Sequence, residues 1–343
     1  MPVFDLLTLN RAVQSRVYTG SFFLNRFFKK EMPASSATVE IDVVKSGGRK
    51  LAPIVSPIKG GVAVAKEGFE SRIFKPPYLH PKTVITVKDL TQRLAGESPY
   101  APHLSPEARN ARIAAEHLVK LDDTIERRKE AMAVQAVVEG KISMKGIAGA
   151  DVEIDFRRNP EHSKTLSGTS ALGGADCNIT ELLRECKRLI AKNSGYDADT
   201  LILGHALIAP FFADNEIKAF FTGAGYNAAQ LQGATVQAGV TYYGRIPEFG
   251  DIYSYNEYYY DEDTKESLPM VPDDVFVYGA SAADNRLLHG AIQNMRAGGL
   301  VAMEKFVDTY EYDNGKGREI SIESAPLPAL LVPDAFVSVK SVK

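Results

Sequence analysis

The longest uninterrupted helical pattern constrains the fold of this chain more than any other feature. Ser105 is a favourable N-cap, Pro106 stands at the first helical position, and neither proline nor glycine follows until Gly140. Apolar residues recur mostly at three- or four-residue steps along one stripe, namely Ala111, Ala114, Leu118, Leu121, Ile125, Met132 and Ala136. Such a helix spans on the order of 50 Å. A coiled coil is the alternative, but the stripe lacks a strict heptad, which favours a single long helix lying across a sheet.

The charged residues of this helix fall mostly off the apolar stripe. They are Arg109, Arg112, Glu116, Asp122, Asp123, Glu126, Arg127 and Glu130. Asp122 and Asp123 are adjacent, so their side chains point about 100° apart and are poorly placed to share one proton as a catalytic pair.

The first 30 residues form a basic, aromatic segment that is unusual for the start of a compact domain. Phe22, Phe23, Leu24, Phe27 and Phe28 cluster beside Arg26, Lys29 and Lys30, and the segment carries a net charge of +4. An aromatic arm of this kind needs a surface to cover it, either on its own chain or on a neighbour. We expect its basic face to lie towards the interior of any assembly.

A proline-rich segment follows the arm. Five of the 18 prolines fall within residues 50–82, around the strand-like runs Val62–Ala65 and Arg72–Phe74 and a turn at Lys66-Glu67-Gly68. The pattern predicts a two-stranded hairpin with a proline-stiffened base. Isolated hairpins are marginally stable in water and their open edges invite pairing. The hairpin is therefore expected either to contact another subunit or to fold back on its own domain.

The remainder of the chain predicts an α+β arrangement. Asn178 begins a helix as its N-cap, Thr200–Leu203 is a short buried strand, and residues 214–222 are helical. Residues 249–278 are strand-rich, and the stretch 257–274 carries a net charge of −6 beside its tyrosines. This stretch is interpreted as a solvated hairpin, with a docking surface for a basic partner as the alternative. A second hairpin pairs 305–312 with 318–323 across Asn314-Gly315, and a last strand covers 336–339.

The motifs of an active site are missing from the sequence. The six histidines show no metal-ligand spacing, Gly223-Ala224-Gly225 lacks the third glycine of a dinucleotide loop, and no nucleophile elbow occurs. Two cysteines, Cys177 and Cys186, indicate reduced thiols and a reducing cytoplasm. The net charge of −3 argues against a dedicated nucleic-acid-binding protein, and no apolar run reaches the length of a membrane span. We therefore predict no enzyme activity, no cofactor and no metal.

The order of these parts resembles the major capsid proteins of tailed phages, and within them the lambda-like phage major capsid protein E family. The resemblance rests on five segments, which are Ser21–Phe28, the loop from Val55 through Pro76-Pro77-Tyr78-Leu79-His80-Pro81, Gln135–Gly146, Gly250–Gly279, and the ending from Ser324 through Pro333-Asp334 to Val339. The ending is the most specific of them. Residues 155–240 match weakly.

The resemblance implies an α+β tailed-phage capsid fold of the Hong Kong ninety-seven type. Its parts would be an N-terminal arm (1–49), an extended loop hairpin (50–86), a peripheral domain (87–160) with a spine helix (105–139), an axial domain (161–295), and further peripheral strands (296–343). The arm and loop would contact neighbouring subunits through Phe22, Phe23, Arg26, Phe27, Phe28, Lys66, Glu67, Phe69, Arg72 and Phe74.

The resemblance also implies a function. Copies of the chain would form the hexamers and pentamers of an icosahedral head around double-stranded DNA, assembled in the host cytoplasm and retained in the virion. The expected partners are a separate scaffold protein, a decoration (cement) protein, a portal and nonspecifically bound DNA, and no membrane. The alternatives are an encapsulin-like cellular compartment, which shares the fold, and a cytoplasmic α+β enzyme.

Overall fold

A computed structural model of the chain describes residues 9–10, 13, 20–44, 69–91, 105–146, 151–223, 234–237, 239–261, 264–313 and 315–342. Among them, the α-helices are α1 (Phe22–Phe27), α2 (Val87–Thr91), α3 (Pro106–Glu139), α4 (Ile179–Ser194), α5 (His205–Ala213) and α6 (Asn215–Gly223).

The first strands along the chain are β1 (Lys30–Pro33), β2 (Val39–Val44), β3 (Phe69–Phe74), β4 (Lys82–Thr86), β5 (Lys141–Met144), β6 (Val152–Asp155), β7 (Ser163–Ser167), β8 (Thr200–Leu203), β9 (Ala234–Gln237), β10 (Val240–Ile246) and β11 (Gly250–Tyr255). The later strands are β12 (Tyr258–Asp261), β13 (Glu266–Pro269), β14 (Val275–Gly279), β15 (Arg286–His289), β16 (Ile292–Asn294), β17 (Gly299–Val301), β18 (Phe306–Glu311), β19 (Gly317–Glu323), β20 (Pro326–Ala329) and β21 (Phe336–Val342).

Helix α3 is the predicted long helix, with both ends where the sequence places them. The Ser105 side chain accepts a hydrogen bond from the Ala108 amide at 3.2 Å and so caps the first turn. Gly140 adopts a left-handed conformation with φ of 75°, and its amide donates to the Ala136 carbonyl at 2.8 Å. The 34 residues between these caps confirm the prediction of one continuous helix.

The largest sheet among the described residues is a seven-stranded mixed sheet with the strand order β7-β21-β14-β8-β11-β10-β9. Alternate side chains of its inner strands serve two different cores, as the two-residue period of a strand requires. In β8, Leu201 and Leu203 pack with helices α4, α5 and α6, whereas Ile202 lies in the core that contains α1 and the end of α3. Both faces of this sheet are therefore covered.

The last strand crosses the predicted boundary between domains. β21 pairs antiparallel with β14 and parallel with β7, with Val339 opposite Phe276. Val337 and Val339 are buried on one face of the sheet and Phe336 on the other. A strand with two apolar faces is stable only inside a covered sheet. The C-terminal strand thus pairs with two strands of the segment 161–295, which the sequence assigned to the axial domain.

The C-terminal hairpin packs against the first half of α3. β18 and β19 pair antiparallel from Phe306 opposite Glu323 to Glu311 opposite Arg318, which confirms the predicted hairpin, and β4 extends it to three strands. Its inner residues join those of α3 in one core, among them Val307, Ile320 and Ile322. The remaining predicted elements are also present as α4, α6 and β8.

The predicted extended-loop hairpin lies only partly within the described residues. β3 contains the predicted run Arg72–Phe74, and it pairs with β2, with Val39 opposite Phe74 and Val44 opposite Phe69. The predicted partner run 62–65 and the turn at 66–68 lie outside the described residues. β2 belongs to the segment that the sequence assigned to the arm.

Short ladders complete the fold of the described residues. β1 lies parallel to β15, which pairs with β20, while β5–β6, β12–β13 and β16–β17 are two-stranded hairpins. Tyr258 and Tyr260 of the acidic hairpin are 50% and 62% exposed, in agreement with a solvated hairpin. Among the described helices, none combines the length and the apolar character needed to span a membrane.

Candidate functional site

The arm helix α1 is buried in the core of its own chain. Phe23 lies 5.3 Å from the Tyr255 ring and Phe27 lies 5.0 Å from the Phe336 ring, both between ring centroids. Phe22 and Phe28 are buried as well. These four phenylalanines have little exposed surface left for another molecule. Their expected contact with a neighbouring subunit stays a prediction, and the contacts described here lie within the chain.

The spine helix supplies the cap of the arm helix. Glu130 of α3 accepts hydrogen bonds from the amides of Phe23 at 2.7 Å and Leu24 at 3.1 Å, and from the Tyr255 hydroxyl at 3.1 Å. Ser21, at the N-cap position, makes no side-chain cap. Glu130 thus satisfies amides at the helix start that would otherwise lack acceptors.

The carboxyl group of Glu130 is a weaker acid than an ordinary glutamate. Burial raises the pKa of its carboxyl group to about 7, against the opposing effect of the Phe23, Leu24 and Tyr255 donors. The sequence prediction missed this residue, because Glu130 appeared to lie on the polar side of the helix. The signal available was a helix starting at Phe22 in an apolar setting, which requires an acceptor from elsewhere.

Arg26 projects from α1 onto the N-terminal ends of β8 and β11. Its guanidinium forms a 3.0 Å ion pair with Asp251 and donates to the Thr200 hydroxyl at 2.7 Å. The same group stacks over the Tyr253 ring at 5.5 Å from the centroid. Arg26 is therefore engaged within the chain, and its predicted contact with a neighbour has no support from these interactions.

The base of the extended-loop hairpin is also anchored to its own chain. Arg72 donates from Nη1 to the Phe156 carbonyl at 3.2 Å, and the Phe74 and Phe156 rings lie 5.9 Å apart. Phe69 occupies the other end of the ladder, opposite Val44. The two tip residues named as contacts, at positions 66 and 67, lie outside the described residues.

A buried ion-pair network links α3 to the segment before β18, and the sequence prediction missed it. Lys305 lies 2.5 Å from Asp122 Oδ1 and 2.5 Å from Glu126 Oε1. Lys129 lies 2.9 Å from both Glu126 and Glu304. The side chains of Asp122, Glu126, Lys129 and Lys305 are each 10% exposed or less. The expected polar face of α3 is therefore covered here.

The network charges compensate one another. Burial alone would raise the pKa of Glu126, but Lys129 and Lys305 outweigh it and hold that pKa below its ordinary value. Burial alone would lower the pKa of Lys129, but Glu126 and Glu304 raise it. Both groups therefore remain charged at neutral pH. Lys129 falls four positions after the stripe residue Ile125, a sequence signal that could have indicated a buried charge.

Three potential metal ligands lie at one side of the network. Glu31, His289 and Glu304 bring one ligand atom each to within 4.8 Å of one another. His289 Nε2 is 2.6 Å from Glu31 Oε1, and this contact is the main reason that the pKa of Glu31 is lowered. Lys129 Nζ lies 2.9 Å from Glu304 Oε1 and 3.9 Å from Glu31 Oε1. The Lys129 ammonium therefore lies beside both carboxylates and links the arm strand β1 to the spine helix.

Arg158 joins the end of the spine helix to the central sheet. Its guanidinium donates to the Val137 and Val138 carbonyls at 2.7 and 2.8 Å and to the Ser338 hydroxyl at 2.9 Å. Burial lowers its pKa to about 10. Cationic donors at a helix C-terminus satisfy carbonyls that have no partner in the helix. The arm, the spine and the sheet are thus tied into one body by buried polar contacts.

Comparison with known proteins agrees with this architecture. The family profile of "Phage major capsid protein E" matches residues 5–341. The major capsid protein of Escherichia phage lambda is 28% identical over 350 residues, and that of Enterobacteria phage P21 is 26% identical over 347 residues. Each alignment covers 99% of both chains. These relatives are structural proteins by name.

A solved structure gives the same result for the fold. The crystal structure of a prophage capsid protein from E. coli CFT073 superposes with a TM-score of 0.67 at 20% identity, covering 97% of this chain and 96% of the other. This similarity confirms the predicted tailed-phage capsid fold and its α+β class. Because the family profile spans nearly the entire sequence, the chain belongs to the phage major capsid protein E family.

Proposed function

We propose that copies of this chain assemble into the closed head shell of a tailed phage. The observation that carries the proposal is the family match over residues 5–341, from the arm to the last strand. In this role the chain acts as a structural subunit and not as an enzyme, and its final location is the virion. The match to a phage family favours a phage head over the encapsulin-like compartment.

The described geometry supports a subunit with a rigid body. Buried contacts from Glu130, Arg158 and Lys305 join the spine helix to the arm, to the seven-stranded sheet and to the segment before β18. A shell that contains rings of five and of six subunits needs one body that fits slightly different angles. Head-to-tail contacts between identical subunits form a ring when the rotations from each subunit to the next add up to a full turn. A rigid body with adjustable peripheral contacts meets this requirement, and stable obligate contacts of this kind often bury more than about 2,000 Å².

The finer parts of the proposal concern partners. We infer a separate scaffold protein during assembly in the host cytoplasm, then a portal, a decoration protein and packaged DNA. Contact with DNA would be nonspecific and salt-sensitive. Lys30 is exposed, and its ammonium lies 2.8 Å from Asp284.

Electron microscopy tests the proposed shell directly. The full chain is produced together with the other head proteins of its phage, and the particles are purified and imaged. We expect closed shells built mainly of this chain. Recovery of stable monomers alone, under conditions in which the other head proteins are present and soluble, would overturn the proposal.

DNA contact has a separate test. A Lys29→Gln, Lys30→Gln variant is compared with the wild-type chain for binding of random-sequence duplex DNA over a range of salt concentrations. If both lysines contact phosphates, the log–log salt slope should become shallower by roughly two. An unchanged slope would remove these lysines from the DNA contact.

A further inference from the structure

One exposed face of the spine helix α3 carries three basic side chains around a threonine. Lys120, Thr124, Arg127 and Arg128 are exposed, and each of the three cations lies three or four positions from Thr124. Residues at these spacings are neighbours on the surface of a helix, so the four side chains form one continuous patch. We call these four residues the spine basic face.

The cations of the spine basic face are not neutralised by acidic side chains of the described part of the chain. Lys120 and Arg127 form no ion pair with any described residue. Arg128 lies with Nη1 3.8 Å from the uncharged Met144 Sδ. Because no carboxylate of the described residues is paired with them, the three charges remain available to an anion outside the chain.

The acidic residues in this part of α3 lie at one border of the face or inside the protein. Glu116 is already paired with Arg112 at 3.0 Å. Asp123 is half-buried and forms no ion pair with Arg127, four positions later. The other carboxylates of the middle of α3 are buried in the network and under the arm. The spine basic face is therefore locally positive, although the whole chain carries a net charge of −3.

The spacing of the three cations is close to that of phosphates along a nucleic-acid strand. Lys120 and Arg128 are eight positions apart, which corresponds to about 12 Å along the helix axis. The face thus carries one positive charge per roughly 4 Å. One strand of double-stranded DNA carries one phosphate per about 3.4 Å of its axis. The charge density of the face therefore complements that of a phosphate backbone.

The composition of the face favours nucleic acid over an acidic protein. Protein interfaces depend on a buried apolar centre, whereas phosphate contacts depend mainly on cations. No large apolar side chain belongs to the spine basic face, and Val119, which is 42% exposed, points about 100° away from Lys120. The Thr124 hydroxyl already donates to the Lys120 carbonyl at 2.9 Å. The face thus offers an incoming molecule positive charge and little apolar area.

We propose that the spine basic face is a contact surface for the phosphate backbone of double-stranded DNA. The proposal rests on the shell function above and names a surface of the subunit that meets the enclosed DNA. The contact would be independent of base sequence, because cations that meet phosphates read no base edges. It also orients the subunit, since this face of α3 would then lie towards the interior of the shell.

A pair of matched charge-removal variants tests the contact. The test variant is Lys120→Gln with Arg127→Gln, and the control is Arg188→Gln with Lys192→Gln. The control removes one arginine and one lysine from an exposed face of α4, where Glu181 and Glu185 lie on the same side of the helix. Circular dichroism and urea unfolding should show both variants folded as in the wild type, because all four side chains are exposed.

The first measurement is the binding of unassembled full-length chains to random-sequence duplex DNA over a range of salt concentrations. The slope of log affinity against log salt concentration should become shallower by about two for the test variant, since two phosphate contacts are lost. The control should keep the wild-type slope. No binding by the wild-type chain at low salt, or equal slopes for the test variant and the control, would overturn the proposal.

The second measurement is the yield of shells in electron microscopy, with the other head proteins of the phage present. The test variant should form shells with the yield of the control, because the face is assigned to DNA and not to a protein. Loss of shells for the test variant together with an unchanged salt slope would assign the face to a protein partner and overturn the DNA contact. If the wild-type chain forms no shells, the shell function fails, whatever the DNA measurement shows.

Discussion

The buried ion-pair network makes a quantitative prediction about stability. Replacing Lys305 by methionine removes an ammonium group that lies 2.5 Å from both Asp122 and Glu126. The methionine side chain nearly preserves the volume, so the change is mainly one of charge. Two carboxylates that are 10% exposed or less then lose a shared cation.

The expected cost follows from burial. Removing one partner of a buried ion pair typically costs about 3–5 kcal/mol, because the remaining charge stays desolvated. Glu126 keeps Lys129 at 2.9 Å, so we expect the lower half of this range. Lys30→Met is the control, since its pair with Asp284 is 64% and 36% exposed and should contribute about 1 kcal/mol or less.

Urea unfolding of the unassembled chain at pH 7 measures both costs. A second variant, Asp122→Asn in the Lys305→Met background, should recover part of the lost stability because it removes one of the buried negative charges. A Lys305→Met cost no larger than that of Lys30→Met would refute the reasoning. It would mean that the network gains no more from its charges than a surface pair does.

The pH dependence of the same variant has a definite sign. The pKa of Glu126 is lowered in the folded chain, so its contribution to stability is present above the ordinary value of 4.5 and is lost as the pH falls through the lowered pKa. The wild-type advantage over Lys305→Met should therefore shrink as the pH falls below 4.5 and through the lowered pKa of Glu126. An advantage that persists undiminished under acidic conditions would contradict this assignment.

Three further substitutions test other contacts. Gly140→Ala would place a Cβ atom 2.9 Å from Arg158 Cβ at a φ of +75°. Urea unfolding should therefore show a larger loss of stability than for Gly298→Ala, because Gly298 is also left-handed but has no neighbour within 4 Å. Equal losses of stability would exclude the clash. Glu130→Gln should weaken the fall in stability that occurs as the pH rises through about 7, because a carboxyl group with a raised pKa stabilises the fold in its protonated form and loses that contribution above its folded pKa; an unchanged pH profile between 5 and 8 would contradict it. Asn178→Ala should cost about 1 kcal/mol through loss of the α4 cap, again by urea unfolding, and no change would mean that water replaces the side chain.

Local sequence signals determined the elements with clear ends. Ser105, Pro106 and Gly140 predicted both ends of the spine helix, because a cap and a left-handed stop act within one turn. Asn178 predicted the start of α4 for the same reason. The C-terminal hairpin was predicted from its two strand-like runs and the turn at Asn314-Gly315. The order of the segments along the chain, and their resemblance to the family, were sufficient to predict the family and the fold.

Contacts between distant residues determined the remainder. The sequence allowed the aromatic arm to cover either its own chain or a neighbour. In the structure, Glu130, more than one hundred residues later in the same chain, accepts hydrogen bonds from the first amides of the arm helix. Strand pairing placed β3 beside β2, a strand of the segment assigned to the arm, because a ladder depends on which strand edges lie near each other.

The buried charges show most clearly what the sequence determines and what only the tertiary structure determines. The sequence alone specified that Asp122, Glu126 and Lys129 lie on one long helix. It did not specify that Lys305 reaches them from the segment before β18. A charged residue can be buried only where another charge meets it, and that meeting depends on how distant segments pack. Only the tertiary structure therefore decided which face of the spine helix is buried and which is exposed.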